Sequence, residues 1–260
     1  MIKIGILGAR GRMGQALIQA VLENAGLDFF AGSERAGHPD CGKTIPGTSV
    51  LLTDTAQSVF EAVDIVIDFT PPGATIDHAK IAAATNTKLV VGTTGLTDAD
   101  FAALDVAAQK IAIIQAGNYS LGVNVLTALA EQAAKRLGAD WDIEIVEMHH
   151  RHKIDAPSGT ALMLGEAAAT GRGTTLSDVR SPVRDGVTGE RKEGSIGFAA
   201  LRGGSVIGEH DIVFASEHER ITLSHRAENR GLFAAGAVKA AAWLSDQSAG
   251  RYTMRDVLDL

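Results

Sequence analysis

Apolar residues recur along this chain in two rhythms, and the change of rhythm divides it. In the first half, short aliphatic runs alternate with stretches whose apolar positions return every three or four residues. Ile2, Ile4, Ile6 and Leu7 form the first run, which predicts a buried strand. Met13, Leu17, Ile18, Val21 and Leu22 follow at helical spacing, with Gly26 as a stop. Further strands are predicted over 28–33, 64–69, 89–91 and 111–114, and helices over 75–85 and 98–110. Pro71 and Pro72 close the strand at 64–69, because proline forbids its continuation. Strands alternating with helices imply a parallel, doubly wound α/β sheet.

After Ser120 the pattern changes. Leu121, Val125, Leu129 and Ala133 mark a long helix over 121–137. A strand is expected over 143–148 and a helix over 161–169. The stretch 171–194 is polar and glycine-containing, and reads as a long, mobile, functional loop. Residues 196–202 and 205–214 flank Gly203-Gly204, which reads as a β-hairpin turn. Ile221, Leu223 and His225 alternate in one more strand. About four strands arriving as hairpins give this half an α+β character. An alanine-rich helix over 232–244 follows, and residues 254–260 carry apolar side chains that need covering.

Composition narrows the function. The chain of 260 residues has 24 basic and 31 acidic side chains, a net charge of -7, so a nucleic-acid partner is not expected. No run of 18 or more apolar residues is present, and no membrane association is expected. The apolar start lacks a basic leading region and does not read as a signal peptide. The lone Cys41 excludes an internal disulfide and suits a cytoplasmic location.

The strand at 2–7 runs into Gly8-Ala9-Arg10-Gly11-Arg12-Met13-Gly14 and then a helix. That is the context a dinucleotide-binding fingerprint requires. Gly8 permits the tight turn, Gly11 lets the backbone approach a pyrophosphate, and Gly14 lets helix and strand pack closely. The helix start offers N–H groups to phosphates. Glu34 ends the second strand, where an acceptor for an adenosine ribose hydroxyl is expected. Arg12 and Arg35 are candidates for a 2′-phosphate, so both NADH and NADPH are expected cofactors; two solvated arginines are the competing reading. Three further turns, at Phe69-Thr70, Gly92-Thr93-Thr94 and Ala116-Gly117-Asn118-Tyr119, follow strand ends on the same edge of such a sheet.

The second half carries His149, His150, Arg151, His152 and Lys153 in succession. This is read as a proton-transfer and anion-binding site, with a solvated basic turn as the alternative. A metal site is not expected, because positive neighbours oppose a cation and no cysteine is near. Asp155-Ala-Pro-Ser158-Gly159-Thr160 then opens a helix, a setting for a carboxylate with Ser158 and Thr160 as hydroxyl donors. Together the halves point to a nicotinamide-dependent reductase of a small acidic substrate. Another oxidoreductase of a small carboxylate substrate or a non-enzymatic dinucleotide sensor are the alternatives. A phosphorylating semialdehyde dehydrogenase needs a nucleophilic cysteine beyond the cofactor half, and Cys41 lies inside it.

GARGRMG, Glu34-Arg35, DFTPP, VVGTTG, AGNYSLGVNV and above all EMHHRHKIDAPSGTA resemble the 4-hydroxy-tetrahydrodipicolinate (dihydrodipicolinate) reductase family of lysine and diaminopimelate synthesis. The resemblance runs the length of the chain. It implies NADH- or NADPH-dependent reduction of (4S)-4-hydroxy-2,3,4,5-tetrahydrodipicolinate, a small dicarboxylate, to tetrahydrodipicolinate. It implies a Rossmann-like dinucleotide-binding domain over 1–120 and 231–260. A substrate-binding and tetramerisation domain over 121–230 is implied beside it, α+β and built on an open mixed sheet that assembles a homotetramer. It implies His149 as proton donor/acceptor and Lys153 as proton donor, with His150, Gly159 and Thr160 binding substrate. Gly8 to Met13, Glu34, Arg35, Gly92 to Thr94 and Ala116 to Tyr119 line the dinucleotide, and Tyr119 shields the nicotinamide.

Overall fold

The computed structural model describes residues 1–260. In chain order it begins β1 (Ile2–Leu7), α1 (Arg12–Leu22), β2 (Leu27–Ser33), β3 (Leu52–Thr53), α2 (Ala56–Ala62), β4 (Ile65–Asp68), α3 (Thr75–Thr85), β5 (Lys88–Val91), α4 (Asp98–Ala108) and β6 (Ala112–Gln115). It continues α5 (Leu121–Arg136), β7 (Asp142–His149), α6 (Gly159–Gly171), α7 (Leu176–Val179), β8 (Ile196–Arg202), β9 (Glu209–Ala215) and β10 (Arg220–Arg226). It ends α8 (Gly231–Leu244), β11 (Gly250–Tyr252) and α9 (Met254–Leu258). The chain divides into two units, Met1–Leu121 with Gly231–Asp259, and Gly122–Arg230.

The first unit is a seven-stranded sheet in the order β11-β6-β5-β4-β1-β2-β3, with every pairing parallel. Strand alternation explains its two layers of helices. Ile4, Ile6, Ile65, Ile67, Val90 and Ile114 face a core shared with α1, α8 and α9. Leu7, Val66, Leu89, Val91 and Ile113 face the opposite core, built with α2, α3 and α4. The alternating sequence rhythm therefore produced a doubly wound sheet. Two short edge strands, β3 and β11, and helix α2 had no clear signal in the sequence. The apolar residues near the end are covered as α9, with Met254 and Val257 buried.

The second unit is a four-stranded mixed sheet, order β10-β9-β7-β8. Ile143 and Ile145 of β7, Ile196 of β8, and Ile212 and Phe214 of β9 pack with α5 and α6 in a third core. The hairpin expected at Gly203-Gly204 does not form. β8 runs parallel to β7, and β9 pairs antiparallel to β7 on its other side. The connection must therefore pass the end of β7, which a two-residue turn cannot span. Only β9 and β10 form an antiparallel pair of consecutive strands.

Within the loop expected over 171–194, residues 176–179 form α7, and 181–194 lie outside helix and strand with 182–190 exposed. Its arginines reach other elements. Arg191 donates to Glu144 Oε1 at 2.9 Å and to Asp142 Oδ1 at 2.7 Å. Arg184 donates to Glu144 Oε1 at 2.6 Å, and Arg172 to the carbonyls of Gly138 and Trp141. Charge pairing with β7 supplies the order that local periodicity did not reveal.

Lys88, at the start of β5, ties the returning C-terminal segment to the first unit. Its Nζ donates to the carbonyls of Leu244 at 3.1 Å and Gln247 at 2.9 Å, and to that of Ser245. Leu244 ends α8 and Ser245 and Gln247 follow it, where no continuing helix donates N–H groups to these carbonyls, and a cation complements the helix terminus. Lys88→Met is expected to destabilise the protein by about 2 kcal/mol. The Tm in scanning calorimetry then falls by roughly 4–8 °C, while an exposed control such as Lys80→Met leaves it unchanged.

Candidate active site

The first unit presents its candidate residues at the carboxyl ends of parallel strands: Gly8 to Met13 after β1, Glu34 and Arg35 after β2, Gly92 to Thr94 after β5, and Ala116 to Tyr119 after β6. Gly8 has φ +66°, a left-handed conformation that favours glycine. A Cβ on Gly14 would stand 2.2 Å from the Gly8 carbonyl oxygen, so α1 packs on the loop only because that atom is missing. Gly11 is the N-cap of α1, and no side chain caps that end. The cradle therefore has the backbone form that suits a pyrophosphate. Glu34 accepts the Arg10 N–H at 2.9 Å, and the Arg10 Nε donates to Asp40 at 3.0 Å. Arg12 and Arg35 are exposed.

Several side chains in these turns have structural duties. The Thr93 hydroxyl donates to the Thr70 carbonyl at 2.8 Å, which leaves its backbone and the exposed Thr94 for a ligand. Thr70 donates through N–H and Oγ1 to Asp68 Oδ1 at 2.8 and 2.6 Å, and His78 Nδ1 bonds Oδ2 of the same carboxylate at 2.7 Å. Tyr119 is only 1% exposed. Its hydroxyl donates to the Val91 carbonyl at 2.9 Å, and its ring lies 5.4 Å from that of Phe69. The ring expected to shield a nicotinamide is thus a core residue, because its hydroxyl finds a buried carbonyl acceptor.

In the second unit the sheet face changes character along β7. Alternation places Ile143, Ile145, Glu147 and His149 on one side, and the first two face the apolar core. At Glu147 the face becomes ionisable: His210 of β9 lies opposite it, and Arg202 of β8 lies opposite His149. Glu147 is 1% exposed. Its Oε1 accepts from Arg202 at 2.7 Å and from the Ser158 N–H at 3.1 Å. Its Oε2 accepts from Arg202 at 2.7 Å and from His149 Nδ1 at 2.6 Å. Burial alone would push this carboxyl up, but the Arg202, His149 and Ser158 hydrogen bonds outweigh it and hold the group below the usual carboxylate range.

His149 is 8% exposed, with the His210 ring edge-on at 5.1 Å. Burial, with the adjacent His149, pushes His210 down to about 4, so it is neutral at pH 7. Burial and the charge of Arg230 likewise lower His150. Lys153 Nζ pairs with Asp155 Oδ1 at 2.8 Å, and Arg202 donates to the Asp155 carbonyl at 2.7 Å. Ser158, expected as a substrate donor, is a buried N-cap. Its Oγ accepts from the Ala161 N–H at 3.2 Å and bonds His210 Nε2 at 3.0 Å. Gly159 is exposed at the first turn of α6, and Thr160 is half-buried beside it.

His149, His150, Lys153, Gly159 and Thr160 are therefore gathered at the carboxyl end of β7 and the start of α6, with two proton-bearing groups beside a helix N-terminus. Sequence reasoning missed Glu147, Arg202 and His210. The alternation Ile143, Ile145, Glu147, His149 carried a signal for Glu147, since it puts a carboxylate on the buried side. Nothing local marked its partners. No group of three or more His, Cys, Asp or Glu side chains is gathered for a metal ion, and no helix is long and apolar enough to cross a membrane.

Known proteins show the same organisation. Residues 2–119 match the family model "Dihydrodipicolinate reductase, N-terminus", and residues 122–258 match "Dihydrodipicolinate reductase, C-terminus". A 4-hydroxy-tetrahydrodipicolinate reductase of Parvibaculum lavamentivorans is 52% identical, over 100% of this chain and 98% of the relative. One from Rhizobium meliloti has the same identity and coverage. A dipicolinate-bound dihydrodipicolinate reductase from Paenisporosarcina sp. TG-14 superposes with a TM-score of 0.80 at 26% identity, over 97% of each chain. Aspartate semialdehyde dehydrogenase II from Vibrio cholerae shares the fold alone, with a TM-score of 0.56 at 13% identity, over 94% of this chain and 98% of that one. With both halves matched in order and half of all positions identical over the full length, the chain belongs to the dihydrodipicolinate reductase family.

Proposed function

We propose that this chain reduces (4S)-4-hydroxy-tetrahydrodipicolinate with either NADH or NADPH, through His149 and Lys153, as a cytoplasmic homotetramer. Family membership makes it an oxidoreductase of lysine biosynthesis with 4-hydroxy-tetrahydrodipicolinate reductase activity and a nicotinamide cofactor. The observation that supports the residue assignment best is a buried, carboxylate-bound His149 at the end of β7, four residues before Lys153 in the turn that leads to α6. A dicarboxylate meets there a cation, a polarised imidazole and the backbone of Gly159 and Thr160.

The nicotinamide, when bound, supplies the hydride. Gly8 to Met13 would hold its pyrophosphate on the uncapped start of α1, and Glu34 the adenosine ribose. Arg12 and Arg35, both exposed, are placed after β1 and β2 to meet a 2′-phosphate through bidentate bonds. The 4-hydroxyl leaves as water before the hydride adds, and Lys153 stabilises the negative charge that then develops on the reduced substrate. His149 takes up a proton at Nε2 and passes it to that substrate, and His150, neutral at pH 7, orients a carboxylate with Gly159 and Thr160. The sheet face opposite the α5–α6 core carries Val146, Ala199, Leu201 and Val213, and Leu201 is 50% exposed. Glu144, Glu209, Asp211 and Arg226 share that face, so a mixed surface with apolar positions among charged ones is what supports association through this unit.

Lys153→Met keeps the aliphatic stem and removes the charge. It is expected to lower kcat ~100- to 1000-fold in an assay following loss of NADPH absorbance, with cofactor binding intact. A rise in substrate KM at unchanged kcat makes Lys153 a uniform binding residue instead. His149→Gln is likewise expected to lower kcat, and unchanged turnover removes it from the chemistry.

Cofactor choice has its own test. Glu34→Gln retains an acceptor for the Arg10 N–H and removes the charge. NADH binding, followed by fluorescence titration, is expected to weaken by about 1–3 kcal/mol, and NADPH binding by less, since the 2′-phosphate no longer meets a carboxylate. Arg35→Ala is expected to raise the KM for NADPH and spare NADH. Equal losses for both cofactors in either variant contradict the assignment.

A further inference from the structure

The two ring nitrogens of His149 have unlike surroundings. Nδ1 lies 2.6 Å from Glu147 Oε2. Nε2 makes no hydrogen bond within the protein and is not among the sealed, unpartnered atoms, so it is the nitrogen open to an incoming group. Gly208 lies on that side: a Cβ there would stand 3.1 Å from Nε2, and its absence keeps the nitrogen clear.

Glu147 itself has no capacity left. Each oxygen accepts two hydrogen bonds, from Arg202 and Ser158 at Oε1 and from Arg202 and His149 at Oε2. Four donors fill the acceptor sites of one carboxylate. It therefore neither takes a proton nor touches substrate. It is ionised, so it can only accept, and the hydrogen between it and His149 belongs to Nδ1. Arg202 also donates to the Asp155 carbonyl at 2.7 Å, and Asp155 pairs with Lys153 at 2.8 Å. One buried carboxylate and its guanidinium thus orient both groups assigned to the chemistry.

We propose that Glu147 is a positioning residue for the reduction. Clamped by Arg202 and the Ser158 N–H, it locks His149 as the Nδ1–H tautomer and leaves Nε2 as the atom that exchanges the substrate proton. The kinetic part of this proposal rests on the reading of His149 as an acid–base group; the tautomer part does not.

The local geometry says what a substitution does. In Glu147→Gln the amide has one oxygen and one NH2. Either orientation sets the NH2 against one Arg202 nitrogen, so Arg202 does not decide between them; the Ser158 N–H cannot reverse its polarity whereas the imidazole can, so the oxygen stays with Ser158 and the NH2 turns to His149. Nδ1 must then accept, and the proton moves to Nε2. The charged and titratable groups around His149 are Glu147 on its own strand, the adjacent His150, the neutral His210 on β9, Arg202 on β8 and Lys153 in the following turn; the substitution changes the charge of the first alone.

The test is nitrogen NMR of the protein labelled at histidine, with the His149 signal assigned by its loss in His149→Gln. With the imidazole in its neutral form, the wild-type spectrum is expected to show the Nδ1–H pattern, and Glu147→Gln the Nε2–H pattern. In the same variant kcat is expected to fall ~100-fold, with the KM for NADH unchanged. Glu147→Asp retains the charge but shortens the reach, and is expected to keep the wild-type tautomer and recover part of kcat. An Nε2–H pattern in the wild type overturns the proposal even if the variants do not fold. So does an unswitched tautomer, or full turnover, in Glu147→Gln. If His149→Gln alone retains full turnover, the acid–base reading fails while the tautomer lock stands on its spectrum.

Discussion

A single buried carboxylate constrains the second unit. Taking the charge of Glu147 out of water carries a penalty of several kcal/mol, and Arg202, His149 and Ser158 offset it only when all are in place. Arg202 sits at the end of β8 and Ser158 at the start of α6, so satisfying the carboxylate aligns β7 with β8 and sets where α6 begins. The parallel pairing of His149 with Arg202 is the register that brings the guanidinium to both oxygens. A slip of one residue would turn the arginine to the other face and leave the charge unpaired.

The two units use different chemical means. The first is held by aliphatic alternation on both faces of a parallel sheet, and its binding groups are largely backbone. There Tyr119 and Thr93 tie the turns at the strand ends to the carbonyls of Val91 and Thr70, and Asp68 accepts from Thr70 in its own turn and bonds His78 of α3. A backbone cradle suits a large phosphate-bearing cofactor, whose charge is spread over many oxygens. The second unit concentrates ionisable side chains at one end of its sheet, as proton transfer to a small substrate requires. Its polar layer continues the same β7 face that is apolar at Ile143 and Ile145, so rigidity from the core extends to His149.

Much of this was legible from local pattern. Strand rhythm at Ile4, Ile6 and Leu7 implied the parallel sheet, since residues two apart must share a face. The run from Gly8 to Gly14 implied a phosphate cradle, since φ and close packing there exclude side chains. The adjacency of His149 to Lys153 implied acid–base chemistry, and the resemblance of whole motifs to a known family supplied the activity. All of these are short-range properties of the chain.

What the tertiary structure decided lies at long range. Gly203-Gly204 reads locally as a hairpin turn, yet β7 stands between β8 and β9 because its own pairing groups must be satisfied on both edges. The charged stretch before β8 reads as loose loop, yet Arg184 and Arg191 close on Glu144, 40 and 47 residues away. Ser158 reads as a ligand donor, yet the buried His210 and the start of α6 claim its oxygen. Glu147 and Arg202 are 55 residues apart, and their pairing follows from the sheet order that joins β7 to β8. The sequence by itself marked His149, His150 and Lys153 as candidates for the chemistry; the fold decided which nitrogen of His149 faces Glu147 and which is left open, because only the packed sheet brings a guanidinium, a backbone N–H and an imidazole to one carboxylate.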